Sequence, residues 1–287
     1  MLNSMPSSNF EESLDLMKAW GVIALDLKDN IFGKRVNDLT IIEAEKVAAM
    51  ARERGQYVYC LSTTIFQDDI EKGETEFTKL HGKRIEEVST VASILKPKVI
   101  RVLSAQSSKR ISFNDSINYL VEHHPWVFDL YQSTIERFDG EGFTTMIEND
   151  PTNNLFGAPK EILSFFEKIN CFGKSKFTYD AQNLWCMGIF PSMKVYEQLK
   201  PIMGYLHVKG GIKDSESNEL KWQSSLEDAS WPVQEMSSQA VADGVTPVIC
   251  LNPSHGEVKP GYNYENIVKR DLDFMKLILD KKNNKDF

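Results

Sequence analysis

Cysteine is scarce: four residues in 287, at Cys60, Cys171, Cys186 and Cys250, and none in C-x-x-C spacing. That excludes a disulfide framework. Cys60 in "YVYCLS" and Cys250 in "PVICLN" sit in apolar, strand-like runs, where a thiol behaves as a small hydrophobe. Reduced thiols point to the cytoplasm. Long hydrophobic runs are missing too. Nothing approaches the ~20 apolar residues that span a bilayer, so no membrane partner is expected. The opening "MLNSMPSSNFEESLDLM" has no basic stretch followed by an apolar one, so no secretory leader is expected. Positive charge is in deficit, with 33 Lys and Arg against 41 Asp and Glu for a net −8, which excludes the basic face that nucleic acid requires. No glycine-rich phosphate turn follows an early strand, so the dinucleotide fingerprint of a doubly wound open sheet is absent.

What the chain does have is alternation. Short β-branched runs at residues 21–27 ("GVIALDL"), 56–62, 97–105, 144–148, 175–180, 203–210 and 246–252 read as strands. Between them lie segments with apolar spacing of three and four: 40–55, 74–95, 114–138, 159–169, 191–200 and 231–244, with a last one at 264–282. Thr40 and Glu43 stand in capping-box spacing, and Gly55 is a C-terminal stop. Seven strands alternating with helices predict βαβ units and a parallel sheet. An eighth strand belongs ahead of a first helix in "NFEESLDLMKAWG", where only "MLNSM" is available, so it is either very short or truncated. No linker divides the chain. Residues 1–287 therefore read as a single α/β domain, a (β/α)₈ barrel.

In such a barrel, function collects at the carboxyl ends of the strands. Four successive strands end in an oxygen or nitrogen donor: "TTMIE" at Glu148, "KFTYD" at Asp180, "GYLH" at His207 and "PVICLN" at Asn252. Each has a plain structural reading; Asp180 could cap the turn "DAQN", and His207 could be a neutral core histidine. Their joint occurrence at one level of the barrel points instead to a divalent cation site. Lys209 lies two residues past His207, so strand alternation aims both the same way, and it reads either as a rim lysine paired to an acidic neighbour or as a donor to a substrate oxygen or phosphate. Lys213, in the loop beyond, could do similar work. Asp26 in "IALDLKD" and Arg101 in "VIRVL" are equally consistent with ion pairing inside the barrel.

Over nearly its whole length the chain resembles the xylose-isomerase-like TIM barrels, a group of sugar isomerases, epimerases and sugar-acid dehydratases. "GVIALDLKD" resembles that family's second strand and "PKVIRVLSA" its fourth; "MIENDP", "YDAQN" and "LHVKGG" resemble its metal-ligand strands. The resemblance implies Mn²⁺, Mg²⁺ or Zn²⁺ held by Glu148, Asp180 and His207. Glu148 would double as acid/base, one oxygen on the ion and the other available for the proton. It implies a small sugar, sugar phosphate or polyol as substrate and leaves a homo-oligomer open. Asn183 and Trp185, following Asp180, would bind that substrate, the indole face suiting the apolar side of a sugar ring.

The sequence departs from the family pattern in two places. The family's eighth strand ends in a second glutamate, and here that place is Asn252. An amide oxygen can coordinate a hard cation but cannot accept a proton. His255, three residues on, is the candidate to replace the lost base. The other departure is "VKGG", where many relatives carry an acidic residue after the lysine. Two further readings stay open: a lyase of the inosose- or dehydroshikimate-dehydratase kind, and a non-catalytic sugar-binding relative. The repair-nuclease branch of the fold uses more histidines than the five present.

Overall fold

A computed structural model describes residues 1–216, 219–221, 224–252 and 264–283. Six parallel strands follow in chain order: β1 (Ala24–Leu27), β2 (Tyr57–Ser62), β3 (Val99–Leu103), β4 (Thr144–Glu148), β5 (Ser175–Asp180) and β6 (Met203–Val208). A small antiparallel hairpin, β7 (Ile212–Lys213) and β8 (Leu220–Lys221), comes next; then β9 (Ile249–Leu251) pairs in parallel with β6. The ring is closed by Met1–Asn3. Leu2 pairs with Asp26 of β1. Its N–H donates to the Leu251 carbonyl of β9 (3.1 Å), and the Asp26 N–H donates to the Met1 carbonyl (3.0 Å). The eighth stave is therefore one short bridge, in the place the sequence left for a very short first strand.

The helices are α1 (Phe10–Ala19), α2 (Ile41–Glu53), α3 (Glu74–Leu95), α4 (Ser116–His123), α5 (Trp126–Gly140), α6 (Pro159–Ile169), α7 (Ala181–Cys186), α8 (Met193–Leu199), α9 (Val233–Ala242) and α10 (Tyr264–Asn283). Their ends follow local chemistry. The Thr40–Glu43 capping box forms at α2. Pro159 occupies the first turn of α6, where its missing N–H costs nothing, and Asn170 ends that helix at φ +46°. The single helix expected over 114–138 is in fact two. Pro125 restricts His124 to φ −139°, ψ 50°, which no helix can pass, and α5 starts afresh at Trp126. Sequence periodicity also misses α7 and the β7–β8 hairpin, both too short to show a period. No helix among the described residues is long and apolar enough to cross a membrane.

Two apolar layers result. Leu2, Tyr59, Val99, Met146, Tyr205 and Cys250 fill the lower barrel interior. The larger layer, including Leu14, Val47, Phe77, Tyr131, Phe165 and Tyr196, packs helices onto the outer faces of the strands. Because the lumen is packed shut from below, polar side chains pointing inward can only gather at the strand carboxyl ends. All four cysteines are free thiols, as the sequence expects.

Candidate metal centre at the strand ends

The inward face of β4 presents Glu148 at its last position, in register with Leu103 of β3 and Thr178 of β5. Between β5 and β6 the register shifts at Phe177/Thr178, and this irregularity brings Asp180 opposite His207. Glu148, Asp180 and His207 are 3%, 0% and 1% exposed, far drier than charged groups normally are. One donor atom from each lies within 4.8 Å of the other two. His207 Nδ1 is 3.0 Å from Glu148 Oε1 and 3.9 Å from Asp180 Oδ2.

The geometry fits a cation better than it fits hydrogen bonds among these groups. His207 Nδ1 and Asp180 Oδ2 are fully enclosed yet make no directional hydrogen bond. Lys209 Nζ reaches ion-pair distance of that Asp180 oxygen, 2.7 Å, but off the hydrogen-bonding axis. Two hard oxygens and an imidazole nitrogen converging on one point are a donor set for Mg²⁺, Mn²⁺ or Zn²⁺. Asp180 does two jobs at once. Its Oδ1 caps α7, accepting from the N–H groups of Gln182 and Asn183 (3.0 Å each), which leaves Oδ2 turned toward the centre. The turn-capping role foreseen for Asp180 is thus compatible with the ligand role.

Two residues that the sequence left between structural and functional readings complete the site. Asp26 Oδ2 faces His207 Nε2 at 3.3 Å. Asp26 accepts from Ser62 Oγ (2.5 Å) and Tyr205 OH (3.0 Å), so its carboxylate is locked. A carboxylate behind the distal ring nitrogen fixes the imidazole so that Nδ1 points toward Glu148 and Asp180. Arg101 Nε lies 2.9 Å from Glu148 Oε2, and its Nη1 donates to the Thr63 carbonyl (2.7 Å). The Glu148 oxygen read as available for a proton therefore also carries the ion pair to Arg101. The signal for both residues was a lone charge inside a four- or five-residue apolar strand, and nothing local to the sequence named their partners across the barrel.

The electrostatics follow from burial opposed by pairing. Burial raises the Glu148 carboxyl, but His207 and then Arg101 outweigh it and hold the group far below the usual carboxylate range. Burial likewise raises Asp26, and His207 reverses that shift. Burial disfavours charge on His207, yet the carboxylates of Glu148 and Asp26 hold its pKa up, at about 9. In the ion-free protein a proton on His207 stands where a cation would neutralise the same carboxylates.

The other expected site residues scatter more widely. Asn183 donates to the Asn149 carbonyl (2.7 Å) and accepts from Lys209 Nζ (3.3 Å), so both lie at the centre. Trp185 is 3% exposed, packs edge-on against Phe190 with centroids 5.2 Å apart, and reaches the "VKGG" loop, where its Cζ3 would stand 3.2 Å from a Cβ on Gly211. Lys213 is exposed on β7, its N–H bound to Ser230 Oγ (2.9 Å). Asn252 follows β9 and its N–H donates to the Val208 carbonyl (3.1 Å), which places it at the same end of the barrel. His255 lies outside the described residues. Gly210 of "VKGG" presses against the next loop: a Cβ there would run into the Ser224 carbonyl oxygen, so an acidic residue cannot stand at that position without moving the loop.

No family model matches the chain, and no curated protein does. Solved structures do. A probable 3-DHS dehydratase of Bacillus anthracis matches with TM-score 0.69 at 14% identity over 93% of each chain. A D-psicose 3-epimerase of Clostridium cellulolyticum H10, solved with D-tagatose, matches with TM-score 0.72 at 10% identity over 97% of this chain and 98% of that one. A xylose isomerase-like TIM barrel protein of Mycobacterium smegmatis, solved with magnesium, matches with TM-score 0.69 at 13% identity over 94% and 88%. At these identities the likeness shows the fold alone: the chain has the (β/α)₈ TIM-barrel architecture of these structures.

Proposed function

We propose that the protein is a metal-dependent isomerase or epimerase of a small sugar, sugar phosphate or polyol, with Glu148 moving the proton. The observation that carries this reading is the dry convergence of Glu148 Oε1, Asp180 Oδ2 and His207 Nδ1 at the strand carboxyl ends. A bound divalent ion would act as a Lewis acid toward charge developing on substrate oxygens. Glu148 stays ionised beside Arg101, ready to take a proton from a carbon next to a carbonyl. On taking it, the carboxyl must loosen its contact with Arg101, so that arginine sets how basic Glu148 is. Lys209, steadied by Asp180 and Asn183, can donate to an oxygen of the resulting enediolate. Asp26 keeps His207 in place throughout. The likeness to an epimerase solved with a ketohexose supports a small carbohydrate as substrate.

A second reading has its own support. Asn252 stands where a two-base epimerase needs a second carboxylate. One-base chemistry, either proton transfer on a single face or loss of water, suits the residues present. The likeness to a dehydratase agrees with the lyase form of that chemistry. Incubating the Mn²⁺-loaded protein with candidate sugars in D₂O separates the two. Deuterium at a carbon next to the carbonyl without loss of water supports the isomerase, and an absorbing, dehydrated product supports the lyase. Exchange that persists in Glu148→Gln removes Glu148 from the proton step.

A further inference from the structure

We propose that this site takes an anionic substrate, a carbohydrate bearing a carboxylate or phosphate, and that Lys28 meets the negative group. The proposal rests on the metal-centre reading above and names its substrate class. Lys28 stands two residues beyond Asp26, which points into the barrel at His207, and just past the end of β1, where the hydrogen bond from its N–H to Asn3 carries the chain on toward the mouth. The charges acting on it are those of the centre: Arg101 and Lys209, with the carboxylates of Asp29 and Glu148.

Its backbone is clamped. The Lys28 N–H donates to Asn3 Oδ1 (2.7 Å), and the Lys28 carbonyl accepts from the Val36 N–H (2.7 Å). Asn3, 1% exposed, also donates through Nδ2 to the Asp29 carbonyl (2.7 Å). This side chain is therefore presented from a rigid base rather than from a loose loop.

Lys28 also differs from the two cations of the centre in having no carboxylate partner among the described residues. Arg101 is matched by Glu148 at 2.9 Å and Lys209 by Asp180 at 2.7 Å. Asp150, two residues past Glu148, is held by the amides of Gln67 (2.9 Å) and Gln106 (3.2 Å). Among the described residues no carboxylate comes within ion-pair distance of the Lys28 ammonium, and it is only partly exposed. Burial, then Arg101, push its pKa down, as expected of a cation wanting a partner. A half-dry ammonium without a counter-charge is costly, and an anionic substrate would supply one that a neutral sugar cannot.

The test compares matched probes on the Mn²⁺-loaded full chain by calorimetry: D-glucuronate against D-glucose, and D-fructose 6-phosphate against D-fructose. At least one anion should bind tighter than its neutral partner by roughly tenfold or more, the size of one charge-assisted contact. The two pairs show whether carboxylate or phosphate is preferred. Lys28→Met should abolish the preference while Mn²⁺ content stays unchanged, and Lys28→Arg should restore it. If wild type cannot hold Mn²⁺, the metal-centre reading fails and this proposal with it. Retained Mn²⁺ overturns this proposal alone if neither anion binds, if neutral partners bind equally, or if the preference survives Lys28→Met.

Discussion

Replacing Asp26 with asparagine should cost the protein most of its metal affinity although Asp26 touches no ion. The carboxylate is 0% exposed, held by Ser62 and Tyr205, and stands 3.3 Å behind His207 Nε2. Asparagine keeps the shape, so the fold should survive. It removes the charge that raises the basicity of the imidazole, and its amide can turn an N–H toward the ring. Losing such a partner behind a metal-bound histidine typically weakens binding ~10- to 100-fold, or about 1.4–2.7 kcal/mol. Calorimetric titration of chelator-stripped protein with Mn²⁺ measures it, with circular dichroism confirming the fold. Ser62→Ala, which removes only one of the bonds steadying Asp26, should lie between wild type and Asp26→Asn. A folded Asp26→Asn variant whose Mn²⁺ affinity stays within a factor of about three would refute the orienting role.

The ion-free protein should be sensitive to alkali. The pKa of His207 is raised from 6.5 to about 9, so its protonation stabilises the fold fully below pH 6.5 and that contribution is lost as pH rises to about 9. Melting temperatures of stripped protein should fall across that window, and saturating Mn²⁺ should flatten the trend. Since the ion must displace the same proton, Mn²⁺ affinity should rise with pH over that interval, with proton release visible in buffers of different ionisation enthalpy. Gly210→Ala should destabilise by about 1–3 kcal/mol in chemical denaturation, because the added methyl collides with the Ser224 carbonyl.

The convergence of Glu148, Asp180 and His207 was legible because two simple periodicities agree. Strand alternation and the rule that barrel function sits at strand ends pick out Glu148, Asp180 and His207 without tertiary information. What one sequence cannot carry is distance across the lumen. Asp26 and His207 are 181 residues apart and meet because Met1–Asn3 and β9 close the ring between their strands. For the same reason Arg101 could be read as a generic ion pair, and the second oxygen of Glu148 as free. Lys28 escaped notice because it lies just past the end of β1, where the strand period stops and only the Asn3 clamp keeps its direction. The surroundings of Trp185 were hidden for a different reason: its neighbours form α7, a helix too short for periodicity to reveal.

The account turns on one ion held by three side chains, and metal content tests it most directly. Wild type and Asp180→Asn should be stripped, reloaded with Mn²⁺, dialysed and analysed by plasma mass spectrometry. Asparagine can still cap α7 through its oxygen while losing the charge on the side facing His207. The expected result is near-stoichiometric Mn²⁺ in wild type and almost none in a folded Asp180→Asn. A wild type that holds no ion, or a variant that keeps its full complement, would contradict the account.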